Sequence, residues 1–403
     1  MLTENAARTW RRTELLGAIA LLSALLGTAL WWYFPERVDT PYARITLMQG
    51  LQLRALAGTL AALWPRSVSD IMLPMLASNI LAWWIWMFCC LWVAGRSASG
   101  SRIYRWLTLL CWAVLFGFNT VSFNAWVNFF IDTQAAAWMA TAALACVYHE
   151  KLPAWALCVW VTLAPVLAVM THESAFALWV VLALWGWWKM GVKKAAAVFL
   201  PGAVAIAAIL MLFPSPDQAL VFFALPMREY VNILLHENGF VWKHSGNIYG
   251  LAVGPGTLWL VYAYLGWVWI RNGKSGAPGR AALVLAMPAA ALATLFVALD
   301  TNRMAAALWL PAMLLLGAVG SERLLANGER RLLAILVPLA LLQIFNPPSL
   351  IYDNVMVPYS CYTLRLARGL KPWRGEQQTR TWELYFHDTH KLSQLVAQRC
   401  ESH

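Results

Sequence analysis

Long apolar segments recur along the whole chain, and they limit its fold more than any other feature. After the basic cluster Arg8, Arg11 and Arg12, apolar runs follow one another with short polar breaks. A helix needs about 20 apolar residues to cross a bilayer. Inside the bilayer only helices and closed barrels satisfy their own backbone groups. The sequence therefore predicts an all-α, polytopic membrane bundle of about eleven transmembrane helices, at 14–33, 73–95, 104–119, 131–148, 154–170, 174–190, 195–213, 251–270, 281–299, 304–320 and 331–346.

Composition excludes the other fold classes. Of 403 residues, 61% are hydrophobic and 12% are charged, whereas a soluble domain carries about 25% charged residues. Such a chain is not a soluble globular protein, a disordered chain, a disulfide scaffold or a collagen-like polymer. It is also not a soluble nucleic-acid binder, so its net charge of +11 predicts no nucleic-acid partner.

The placement of Lys and Arg predicts the orientation of the chain. Cytoplasmic loops of membrane proteins are enriched in these residues, and alternate breaks in this chain are basic. With the N-terminus cytoplasmic, eleven crossings put the C-terminus outside, in the periplasm. The bundle then spans 1–346, with outer loops at 34–72 and 214–250, and a polar periplasmic tail covers 347–403. The basic breaks hold Arg96, Arg102, Arg105, Lys151, Lys189, Lys193, Lys194, Arg271, Lys274, Arg280, Arg323, Arg330 and Arg331.

The cysteines fall into two groups. Cys89, Cys90, Cys111, Cys146 and Cys158 lie in apolar runs, which is typical of small core residues. The other two, Cys361 and Cys400, lie in the predicted outer tail, where an oxidising compartment allows a disulfide. The sequence leaves that pairing open. No Cys or His spacing indicates a zinc site.

Polar residues at helix ends supply the functional signal, because ionisable groups are rare at membrane depth. Glu36 and Asp39 follow the first run directly, and Asp39 could accept a proton from a substrate hydroxyl. The alternative is a solvated loop with an Asp39/Arg44 pair. His172 and Glu173 fill a tight break between two runs, where they either orient an imidazole for chemistry or cap a helix.

Three further groups lie on the same predicted face. Arg303, in the turn 300–303, is suited to binding a phosphate, although Asp300 could simply pair with it. In the long outer loop, His236, Lys243 and His244 are weaker candidates for binding the substrate. Asn124, Asn128 and Asp132 alternate with aromatic residues, a pattern that suits a sugar ring or an interfacial aromatic belt.

This plan resembles the GT-C superfamily of membrane glycosyltransferases. The resemblance rests on an acidic residue after the first helix, a half-apolar stretch from Gln49 to Trp64 in the first outer loop, and the turn at 300–303 before a late helix containing Pro311. The resemblance extends over residues 14–346. Unlike many members, the chain lacks an adjacent acidic pair in the first outer loop, where Glu36 and Asp39 are three residues apart.

The resemblance implies a function in cell-surface polysaccharide biosynthesis at the bacterial inner membrane, with the active site facing the periplasm. The partners would be a polyprenyl-phosphate-linked sugar, a glycan acceptor and the lipid bilayer. Arg303 and His172 would bind the donor phosphate, and Asp300 would position Arg303. Asp39, with Glu36 nearby, would deprotonate the acceptor, while Glu173 would orient His172. A divalent metal, Mg²⁺ or Mn²⁺, could lie near Asp39, but the sequence offers no ligand set for it.

Other functions fit parts of the pattern. A lipid-linked polysaccharide polymerase or ligase would use the same face, but the large outer loop offers only Arg228 where an Arg-rich loop is expected. A transporter or flippase of glycolipids would place broken or charged helices near the midplane, and no internal repeat of fixed period is visible. A membrane acyltransferase using His172 would need its donor on the cytoplasmic side, away from the predicted position of that residue.

Overall fold

The computed structural model describes most of the apolar part of the chain. It covers residues 10–33, 56, 60, 72–98, 100–127, 131–212, 250–273, 276–293, 304–322, 324, 329–346, 349–352 and 355–358. All statements on structure below concern these residues.

The described chain is helical apart from one short hairpin. Its helices are α1 Arg12–Tyr33, α2 Met72–Ser97, α3 Arg102–Gly117, α4 Thr120–Val127, α5 Asp132–Val147, α6 Ala154–Thr171, α7 Ala175–Met190, α8 Val192–Leu212, α9 Leu258–Asn272, α10 Ala277–Ala291, α11 Trp309–Ser321 and α12 Glu329–Ile344. Single 3₁₀ turns form at His149–Lys151 and Ala306–Leu308. The hairpin, in the tail, pairs β1 Ser349–Tyr352 with β2 Val355–Pro358 in antiparallel register.

The helical prediction is confirmed, and each predicted segment contains part of a helix. In the described chain four helices, α1, α2, α6 and α8, are long and apolar enough to cross a membrane alone, and α3 with α4 makes a fifth if the bent pair is one span. The count of eleven crossings and the orientation of the termini stay predictions.

Two boundaries differ from the expected ones. The run 251–270 was expected to be one helix, but α9 begins only at Leu258 because Gly254-Pro255-Gly256 interrupts it, with Gly256 in the left-handed region at φ +61°. The segment 120–131 was expected to be a loop, but it contains α4. Asn119 caps that helix, because its side-chain oxygen accepts from the Ser122 N–H at 3.2 Å.

Small side chains hold the centre of the bundle together. Helix α5 is rich in alanine, and Ala136, Ala140 and Ala143 on it are buried. Small residues let helices approach closely in a membrane, where the hydrophobic effect between helices is weak. At Gly317 of α11 an added Cβ would lie 3.0 Å from the Val147 side chain. The core of the bundle therefore forms around α2, α5 and α11.

The ends of the helices form two faces, which we name the basic end and the far end. At the basic end, Ser97 donates to the Leu316 carbonyl at 3.2 Å, which joins the C-termini of α2 and α11. There Glu322 pairs with Arg280 at 2.8 Å and with Lys189 at 3.5 Å, and Trp269 donates to it at 3.0 Å. The far end holds the starts of α4, α5, α7 and α9 and the C-termini of α3, α6 and α12.

Glu322 directly follows the last residue of the apolar helix α11, Ser321. Burial raises its pKa, but hydrogen bonds from Trp269 and Arg280 and the charges of Lys189 and Arg280 lower it more, so the net pKa lies below its usual value. Lys189 and Arg280, which belong to the basic residues that predict the orientation of the chain in the membrane, therefore also hold α7, α10 and α11 together.

The far end contains a sharp break between α3 and α4, whose axes differ by 70°. Gln343 of α12 donates to the Phe118 carbonyl at this break and to the Pro255 carbonyl at 3.3 Å. Its own oxygen accepts from the Thr257 N–H at 2.6 Å. Because these groups satisfy the broken backbone, the bend between α3 and α4 is held in place, and with it the end of the bundle where the candidate site lies.

Candidate functional site at the far end of the bundle

His172 occupies the link between α6 and α7. Helix α6 ends there because the His172 backbone is extended, at φ −155° and ψ 123°, while its N–H still bonds to Ala168 at 2.8 Å. The side chain is 3% exposed. Its Nδ1 accepts from the Ser174 N–H at 3.2 Å and lies 2.7 Å from the Ser174 hydroxyl. A backbone N–H only donates, so in the neutral imidazole the hydrogen is on Nε2.

Two carboxylates flank this imidazole. Asp132 Oδ1 lies 3.8 Å from Nε2, and Glu173 Oε2 lies 3.9 Å from Nδ1. Asp132 is in the first turn of α5, where the helix dipole stabilises a negative charge. The gap between Asp132 and Nε2 is too long for a direct hydrogen bond. The imidazole N–H can donate and the carboxylate can accept, so the pair offers complementary groups for a hydroxyl.

Buried amides lie on the same end of the bundle. Gln134, two residues after Asp132, donates to Asn79 Oδ1 at 2.8 Å and contacts Met75 Sδ at 3.4 Å. Burying an amide is costly unless it is hydrogen-bonded, and this pair meets that condition. The sequence reasoning did not single out Asn79. The sequence feature that could have identified Asn79 is an amide side chain within the apolar run 73–95, where polar residues are rare.

The aromatic residues beside these amides pack inside the protein. Trp126 and Phe123 are 4% and 1% exposed, and Trp126 lies 5.2 Å from Trp83 in an edge-to-face pair. Trp83 donates to the Ser122 hydroxyl at 2.8 Å. Because their faces are covered, Phe123 and Trp126 themselves offer no open platform for a sugar. Asn124 is also fully buried, on α4.

The structure brings together three of the predicted site residues: His172, Glu173 and Asp132. The contact between Asp132 and His172 was not foreseen, because 40 residues separate them in the sequence. Of the other predicted residues, Asn124 is described but is not placed in this group, and the rest lie outside the described part of the chain: Glu36, Asp39, Asn128, His236, Lys243, His244, Asp300 and Arg303.

Two other expectations concern ligands and cysteines. Among the described residues, no group of three or more His, Cys, Asp or Glu side chains is arranged to hold a metal ion. The position near Asp39 expected for Mg²⁺ or Mn²⁺ lies outside them. Cys89, Cys90, Cys111 and Cys146 are buried as predicted, and Cys158 is partly buried. Cys361 and Cys400 lie outside the described residues.

Comparison with known proteins gives no relative. No protein-family model, no curated protein and no solved structure matches this chain.

Proposed function

We propose that this chain is a membrane glycosyltransferase, which moves a sugar from a polyprenyl-(di)phosphate donor to a glycan or lipid-linked acceptor. One observation carries the proposal: a buried histidine at a helix end lies between two carboxylates, Asp132 and Glu173. Apolar helices surround this group. An acid/base set at such a boundary suits a hydroxyl acceptor in water and a donor whose lipid remains in the membrane.

In the proposed reaction the acceptor oxygen attacks the anomeric carbon. A new C–O bond forms, the bond from that carbon to the phosphate oxygen breaks, and the phosphate leaves with the electron pair. The acceptor proton passes to the carboxylate of Asp39. The pair of Asp132 and His172 supports a role in holding the acceptor hydroxyl, since the imidazole N–H can donate to its oxygen and the carboxylate can accept a hydrogen bond from its proton. Arg303 would stabilise the charge on the leaving phosphate.

The proposed topology has eleven crossings, a cytoplasmic N-terminus and a periplasmic C-terminus, in the inner membrane of a bacterium. The grouping of Lys189, Arg271 and Arg280 at the end opposite His172 supports this orientation, because basic residues favour the cytoplasmic side. The transfer would then take place on the periplasmic face, in the biosynthesis of a cell-surface polysaccharide.

The test is transfer of a labelled sugar from polyprenyl-phosphate donors by the purified full-length protein in liposomes. We expect sugar in the acceptor fraction and one polyprenyl phosphate released per transfer. Asp132→Asn should lower the rate by about 100-fold, the usual effect of losing a positioned acid/base group. No transfer from any donor in a panel of sugars and lipid-linked acceptors, with folded protein, would contradict the proposal.

A second candidate, a glycolipid transporter or flippase, is favoured by the bent pair of α3 and α4, since broken helices are common in transporters. Its signature is different. A fluorescent glycolipid would cross the liposome bilayer with no bond broken. The lipid would be chemically unchanged after incubation with either the wild type or Asp132→Asn. If the crossing occurs without any transfer, the transporter replaces the enzyme.

A further inference from the structure

A buried guanidinium lies at the basic end, opposite the candidate transfer site. Arg105, in the first turn of α3, is 7% exposed, and its Cζ lies 5.0 Å from the centre of the Trp10 ring. Trp10 is 4% exposed. Within the described chain, the Arg105 Nε and Nη1 and the Trp10 Nε1 have no hydrogen-bond partner. Three buried donors therefore lie together with no protein acceptor among the described residues.

The ring contact alone does not compensate for this burial. A cation over a tryptophan face gains energy from the ring electrons, but the contact leaves the N–H groups in the guanidinium plane unsatisfied. A buried charge normally has a counter-ion, because the desolvation penalty is large. Elsewhere at the basic end Arg280 has one, since Glu322 lies 2.8 Å from it. Arg105 has the same need, and no described acid meets it.

The start of α3 strengthens the argument. Arg102 and Arg105 are three residues apart and share one side of the helix. Cations are unfavourable near a helix N-terminus, which carries a partial positive charge. This first turn contains no acidic residue. An anion at this point would stabilise the guanidinium of Arg105, the indole N–H of Trp10 and the helix dipole at once.

We propose that Arg105 and Trp10 bind the phosphate group of an anionic membrane lipid, with the exposed Arg11, Arg12 and Arg102 around it. A phosphodiester offers several acceptor oxygens and a negative charge, and guanidinium groups bind phosphates well. A lipid is favoured over a free ion because α3 is an apolar helix that borders lipid: Ile103, Leu107 and Leu110, on the side of the helix away from Arg105, are 72%, 40% and 45% exposed. Basic pockets between membrane helices commonly hold such headgroups.

The test measures the lipid that stays with the purified full-length protein. Protein in nanodiscs containing phosphatidylcholine and a minor fraction of phosphatidylglycerol is transferred to detergent, and bound lipids are counted by native mass spectrometry. The matched control is Arg271→Gln, since Arg271 also lies over a tryptophan, Trp267, at 5.1 Å, but is exposed. Each variant loses one positive charge, so only the local geometry differs.

We expect one tightly held phosphatidylglycerol in the wild type and in Arg271→Gln, and a loss of about tenfold or more in its retention in Arg105→Gln. If Arg105→Gln does not fold, Trp10→Phe provides the second test. It keeps an aromatic ring beside Arg105 and removes the indole N–H donor, so retention should fall severalfold.

Three results would overturn the proposal. Equal losses in Arg105→Gln and Arg271→Gln would show a non-specific charge effect. Unchanged retention in folded Arg105→Gln, or in Trp10→Phe where Arg105→Gln does not fold, would remove the site. Displacement of the lipid by inorganic phosphate, with phosphate protecting the wild type against unfolding but not Arg105→Gln, would assign the site to the free ion.

Discussion

Gln343 joins the end of α12 to the break between α3 and α4, and its removal gives a quantitative test of how the far end is held. In Gln343→Leu the side chain keeps a similar volume but loses its amide. The Thr257 N–H and the Pro255 carbonyl then lose their side-chain partner. The Phe118 carbonyl keeps Asn346 at 3.4 Å, and the Thr257 hydroxyl keeps the Leu339 carbonyl at 2.8 Å.

The expected loss follows from those two groups. Leaving a buried polar group unsatisfied costs roughly 1–3 kcal/mol, but side-chain hydrogen bonds between membrane helices average only about 0.6 kcal/mol and reach about 1.7 kcal/mol. The free energy of unfolding should therefore decrease by about 1–3 kcal/mol. Thr257→Val removes a single hydroxyl donor, which lies near two acceptors, the Leu339 carbonyl and Gln343 Oε1. The free energy of unfolding should therefore decrease less in this variant.

The assay is equilibrium unfolding in mixed micelles, followed by tryptophan fluorescence, for the wild type, both single variants and the double variant. A coupling energy of about 0.5–1.5 kcal/mol between Gln343 and Thr257 is expected, because the two side chains are in direct contact at 2.7 Å. A loss under about 0.5 kcal/mol in Gln343→Leu would refute the reasoning, since the break would then be held without the amide.

Three other predictions concern acid stability, the outer-loop residues and topology. Because the pKa of Glu322 is lowered in the folded state, its carboxylate stabilises the fold at pH values above 4.5, the usual pKa, and this stabilisation is lost as the pH falls below 4.5. The Tm of the wild type should therefore fall as the pH is lowered below 4.5. The Tm of Glu322→Gln should depend less on pH in this range. Asp39→Asn and Arg303→Ala should each abolish transfer while insertion into the membrane is unchanged, as checked by sugar transfer and size-exclusion chromatography. In a background without native cysteines, Glu173→Cys and Glu150→Cys should react with an impermeant thiol reagent from opposite sides of the membrane, and reaction from one side would contradict the proposed face of the site.

Apolar runs predicted the helices well because length and lack of charge are enough to define a membrane helix. The run 154–170 coincides almost fully with α6, Ala154–Thr171. The helix boundaries that were predicted wrongly depend on backbone conformation and on long-range contacts. Gly256 delays the start of α9, and the bend after Gly117 needs Gln343, which follows more than 200 residues later. No local pattern encodes that contact.

The site was predictable in part for the same reason. His172 and Glu173 stand out because they are ionisable residues between apolar runs. Asp132 carried only a weak signal, since its role depends on packing between α5 and the end of α6, which brings its carboxylate to 3.8 Å from the imidazole. Asn79 resembles any single amide in a helix until its partner, Gln134, is known.

The most direct test of the enzymatic proposal compares two histidines in the same protein. The dipeptide His-Glu occurs three times in the chain, and two of the copies lie among the described residues: His172-Glu173 at the far end and His149-Glu150 at the basic end. Both imidazoles are buried, and His149 bonds to the Cys146 carbonyl at 3.0 Å. In the sugar-transfer assay, His172→Gln should reduce kcat by at least about 100-fold, while His149→Gln should retain the wild-type rate. Equal rates for the two folded variants would contradict the assignment of the far end as the site of transfer.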